Sequence, residues 1–121
     1  MGEKEESEVL EVLTRLKQAG MDSPVIERLF SRLAAEWRED TEFSSSLSDM
    51  VLHPAYQRII GLGPSALPLI LRELERKPDH WFWALKAITG DDPTPPGAHG
   101  NVRLMTRAWL DWATDNGFAT H

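Results

Sequence analysis

The histidines and a handful of aspartates are the side chains in this sequence suited to general acid–base or metal chemistry. His53, His80, His99 and His121 are scattered along the chain. Asp79 adjoins His80, and Asp91-Asp92 precedes His99. A site shared by Asp79, His80 and His99 is what a small metal-dependent hydrolytic enzyme would need. An imidazole would act as base, with carboxylates to orient it or to hold a cation. No diagnostic spacing supports such a site. There is no His-Glu-x-x-His pair, no Walker loop, no Gly-x-Ser-x-Gly elbow and no calcium-loop ligand series. The absence of cysteine removes disulfides, thiolate ligands and cysteine nucleophiles. Local roles account for the same residues. Asp79 precedes an apolar run and reads as a helix N-cap. Asp91-Asp92-Pro93 reads as turn chemistry. Gly61-Leu62-Gly63 reads as a left-handed helix stop rather than a phosphate cradle. The expectation is a protein with no catalytic residue, no metal and no cofactor.

The tryptophans are the stronger signal. Trp37, Trp81, Trp83, Trp109 and Trp112 are five in 121 residues. In Trp81-Phe82-Trp83, adjacent helical side chains diverge by ~100°, so the three rings fan around the helix. They cannot all face one neighbour. One of Trp81 and Trp83 is expected in a core, and the other at the surface or under a partner, where a large ring with a polar N–H is favoured. The expected partner-contact residues are Trp81, Trp83, Trp109 and Trp112. His99 and the proline-rich loop 91–100 form an adaptable rim.

A nucleic-acid reading rests on residues 8–38. Leu16, Ala19-Gly20-Met21, Ile26 and Leu29 resemble the pattern of a DNA-binding helix-turn-helix. Ser23, Glu27, Arg28, Ser31 and Arg32 would face the groove. Pro24 at the start of the second helix and the local charge oppose this. Residues 1–50 hold 12 acids and 6 bases, whereas residues 51–121 hold 7 of each, so the net −6 lies wholly in the first half. Affinity for phosphates needs the reverse balance, and binding to nucleic acid is expected to be absent.

These residues are carried by elements of one type. Apolar positions recur at three- and four-residue steps, and no segment alternates as a strand would. The spacing predicts helices at 8–19, 24–38, 54–61, 65–75, 79–89 and 102–115. The first two form a hairpin across 8–38. Residues 39–53 form a Ser-rich linker, in which Phe43, Leu47 and Met50 are spaced for a loose helical turn. Pro54 suits the first position of its helix, Pro68 the first turn of the next, and Asn101 an N-cap. Gly90 and Asn116-Gly117 read as stops. Residues 91–100 carry three prolines and two glycines and form a loop with polyproline character. The whole of 1–121 is expected to be a single all-α domain, a compact bundle of five or six helices with its C-terminal part at 54–117.

Residues 59–90 also resemble a single HEAT-type repeat. A leucine-glycine turn is followed by a proline-bearing helix with Ala66, Leu67, Ile70, Leu71 and Leu74. After a short break comes a second helix with Ala84, Leu85 and Ile88 before Gly90. The resemblance implies a helix pair and a scaffolding style of function, and no chemistry. The N-terminus lacks the basic start and apolar run of a secretory signal, Glu6 stands where a myristoylation motif needs Ser or Thr, and no apolar run reaches the ~20 residues of a membrane span. The reading is a cytoplasmic, non-catalytic helical module. It binds another protein or its own copy, as a scaffold, an adaptor or an antitoxin- or immunity-like partner, and not a membrane.

Overall fold

Phe30, Leu33, Ala34 and Trp37 form the buried stripe of α1 (Pro24–Thr41), the first element of a computed structural model that describes residues 24–118. The expected helix 8–19, its turn and Ser23 lie outside the described residues. Further helices follow in order: α2 (Leu47–Leu52), α3 (Pro54–Gly61), α4 (Leu67–Arg76), α5 (Phe82–Thr89) and α6 (Val102–Asp115), with a 3₁₀ turn at Gly63–Ala66 before α4. Among the described residues there is no strand, and the fold is all-α.

Three boundaries depart from the sequence pattern. The Ser-rich segment holds a defined helix, because the Ser46 side chain accepts the backbone N–H of Asp49 and caps α2. The helix expected at 65–75 starts in a tighter 3₁₀ turn, where Pro64 and Pro68 both lack an N–H. The helix expected at 79 begins instead at Phe82. Asp79 is not its cap: its carboxylate accepts the adjacent His80 N–H at 2.7 Å, and its carbonyl accepts Trp81 N–H at 2.8 Å, closing a turn.

Other ends follow the expected chemistry. Pro54 opens α3, and His53 caps it. His53 Nδ1 accepts Ala55 N–H at 3.0 Å, leaving Nε2 to donate to Asp40 at 2.8 Å. The Asn101 side chain caps α6 through Leu104 N–H. Beyond α6, Gly117 adopts φ +82, and Phe118 N–H reaches Ala113 O while Gly117 N–H reaches Thr114 O. These two bonds close a Schellman motif. Phe118 folds back onto Trp112, with ring centroids 5.6 Å apart.

One hydrophobic cluster holds the described residues together. Its centre is aromatic. Trp81 lies 4.6 Å from Trp37, 5.7 Å from Phe30 and 6.0 Å from Tyr56 between ring centroids. α1 packs chiefly on α3, and α4 on α6. An ion pair between Arg38 and Glu73 ties α1 to α4, and the Arg38 guanidinium sits 5.8 Å above the Trp81 ring.

Candidate functional site

The start of α5 is fixed from another helix. Its capping residue, Trp81, offers no side-chain hydrogen bond. The Tyr56 hydroxyl on α3 serves instead, accepting Ala84 N–H at 2.9 Å and donating to His80 O at 3.0 Å. Ala84 is the third residue of α5, whose N–H an N-cap side chain ordinarily takes. Burial pushes the Tyr56 phenol well above its ordinary value of 10.0. With α5 pinned in this way and Trp81 buried, Trp83 turns outward and is 53% exposed.

Trp83 forms one wall of a 290 Å³ cavity between α5 and α6. Phe82, Val102, Met105 and Trp109 line its depth. Leu47 of α2 and His80 flank it, and Lys86, Asp92, His99 and Gly100 form the edge. The lining is mainly apolar and aromatic, the character of a surface that receives an apolar group.

The edge is held in place. Asp92 accepts Thr94 N–H at 3.2 Å and lies 3.3 Å from His99 Nε2 and 3.8 Å from Lys86 Nζ. Partial burial opposes ionisation of its carboxyl, but the Thr94 and His99 hydrogen bonds outweigh that and hold it below the usual carboxylate value. Asp91 accepts the Trp112 indole N–H at 2.9 Å, and Thr94 and Ala98 are buried. The loop expected to be an adaptable rim is thus tied to α6 through Asp91, to α5 through Asp92, and to itself through Thr94 and His99.

The structure gathers Trp83, Trp109 and His99 around this cavity and leaves Trp81 and Trp112 out of it. Trp81 is 0% exposed between Trp37 and Tyr56. Trp112 is buried against Phe118 with its N–H on Asp91, on the side of α6 facing Pro93 and Pro95. Neither ring lines this cavity. Leu47, Phe82 and Met105 also line the groove, although the sequence did not mark them as partner contacts. Leu47 carried a signal through its spacing with Phe43 and Met50, Phe82 through its place between Trp81 and Trp83, and Met105 through its helical spacing with Val102 and Trp109.

The residues of the other two readings are not gathered in the same way. Arg28, Ser31 and Arg32 are exposed on α1, beside acidic Glu36, Glu39 and Asp40. Asp79 lines a separate polar cleft of mixed charge with Arg38, Glu42 and Lys77; His80 borders both hollows, and His99 only the apolar one. Among the described residues no three His, Asp or Glu side chains are placed to hold a metal ion, and no helix is long and apolar enough to cross a membrane. Compared with known protein families, curated proteins and solved structures, the chain matches none.

Proposed function

We propose that this chain is a non-catalytic helical interaction module whose contact site is the groove between α5 and α6. The observation that carries the reading is Trp83, half exposed at the lip of an apolar cavity floored by Trp109. An exposed tryptophan on a rigid helix beside a concave apolar surface has the makings of an interface hot spot, because it desolvates a large area at little entropic cost. The HEAT-type resemblance of residues 59–90 supports the same reading at the level of architecture, since helix pairs of that kind serve as scaffolds.

The test compares the wild-type chain with Trp83→Ala. Proteins of the native host retained by the wild type and lost by the variant are then titrated as purified components. Binding should weaken at least tenfold, the effect of losing a hot-spot side chain, with the circular dichroism spectrum unchanged. Recovery of the same proteins with equal affinity by both chains would overturn the reading.

A further inference from the structure

Building on the groove as a docking site, we propose that its occupant is a second copy of this chain, in an isologous contact where each Trp83 indole enters the other copy's cavity. Knob and hole lie on one face, since Trp83 is both the exposed ring and a wall of the cavity. A twofold axis beside that wall exchanges the two indoles, which is how a single patch becomes self-complementary. At 290 Å³ the cavity is at the small end of the ~300–1,000 Å³ range of ligand pockets. It takes one large ring rather than the row of side chains along a helix.

Charge is compatible with the same occupant. An isologous contact lays a surface against itself, so a face with excess charge of one sign repels its copy. The excess −6 lies in residues 1–50, while residues 51–121, which build α5, α6 and the intervening loop, hold 7 acids and 7 bases. The groove's edge carries both signs, Lys86 and Asp92. A twofold axis can therefore turn each Lys86 toward the partner's Asp92. Area sets the strength. An aromatic ring buries ~150–250 Å², so two indoles with the half-exposed Leu47 side chains fall short of the ~1,600 Å² of a standard interface. The dimer is reversible, exchanging with monomer at micromolar or higher concentrations.

Fluorine-19 spectra of the full chain carrying 5-fluorotryptophan test this directly. Each of the five tryptophans gives one line, assigned through its Trp→Phe variant. Between about 10 μM and about 1 mM, the range in which a weak dimer forms, the Trp83 and Trp109 lines should move together while those of Trp37 and Trp81 stay fixed. Light scattering should show the mass rising from one chain toward two, and Trp83→Ala should hold it at one. A wild type that stays monomeric with fixed lines overturns the second copy and leaves the groove to a different protein, which the preceding experiment tests separately. A dimer that persists in Trp83→Ala, or that moves only other lines, places the contact elsewhere and overturns the proposal too. The wild-type titration decides the matter even if the alanine variant fails to fold.

Discussion

At Tyr56 one oxygen does the work of a helix cap for an element it does not belong to. Removing it takes the partner from a buried Ala84 N–H and from a partly buried His80 carbonyl. Such losses cost about 1–3 kcal/mol, so Tyr56→Phe should lower the unfolding free energy by that amount, read as a lower urea midpoint with an unaltered slope. The pH dependence has a definite sign. Burial raises the phenol above 10.0, so the native state keeps a proton that the unfolded chain gives up. Its contribution is complete below pH 10.0 and is lost as pH rises from there toward the folded value. As this is the chain's single tyrosine, tyrosinate absorbance should grow together with loss of helix, not before it. The two neighbouring tryptophans should respond unequally. Trp81→Ala empties the aromatic centre and should cost ~3–5 kcal/mol. Trp83→Ala should stay within ~1 kcal/mol, as substitutions at exposed positions usually do. Equal losses in thermal melts would contradict both placements. The sequence shows that these two rings must face different surroundings, because their separation on a helix is fixed. It does not show which is core, because that depends on Trp37 and Tyr56, brought in from elsewhere in the chain.

Helix ends and helix ties are where the elements can be probed. Gly117 has φ +82 and open space where a Cβ would sit, so Gly117→Ala meets only the left-handed backbone penalty of about 1–2 kcal/mol. Gly61 lies in α3 without positive φ and also faces open space. Gly61→Ala should therefore stabilise, by ~0.5–1 kcal/mol. Melting temperatures of the two variants should move in opposite directions. Glu73 ties α4 to α1. Partial burial opposes its ionisation, but hydrogen bonds from Arg76 and Arg38 prevail and hold its carboxyl below 4.5. A depressed carboxyl contributes stability that is present above pH 4.5 and lost as pH falls through the folded value. Glu73→Gln should flatten the acid limb of stability against pH, and added salt should shrink the difference, since the pair is partly solvated. Elements whose signals are local were legible: α6 occupies its expected span because both its Asn101 cap and its Gly117 stop are adjacent in sequence. The start of α5 was not, because Asp79 has cap chemistry but closes a turn, while the hydroxyl that takes the cap's place comes from α3.

For the molecule as a whole, periodicity and glycine punctuation were enough to fix an all-α class, since neither depends on partners distant in sequence. The groove was legible only in part. Trp83, Trp109 and His99 could be named as rare or chemically distinctive residues, yet their convergence needs the packing of α2, α5 and α6, which no spacing encodes. Charge distribution, by contrast, survives folding and is the ground on which the proposed module is preferred to a DNA-binding regulator. Nucleic-acid affinity comes largely from basic side chains that displace counterions from phosphates. On α1 the exposed Arg28 and Arg32 share the helix with Glu36, Glu39 and Asp40, and Glu27 is already paired with Arg72 at 3.0 Å. The net charge of −6 adds long-range repulsion from a polyanion. The full chain should therefore give no gel shift with generic duplex DNA at low micromolar protein and physiological ionic strength, and Arg28→Ala with Arg32→Ala should change nothing. A shift that weakens steeply with added salt and disappears in that double variant would instead assign α1 to the major groove, and the helix-turn-helix reading of residues 8–38 would replace the interaction module.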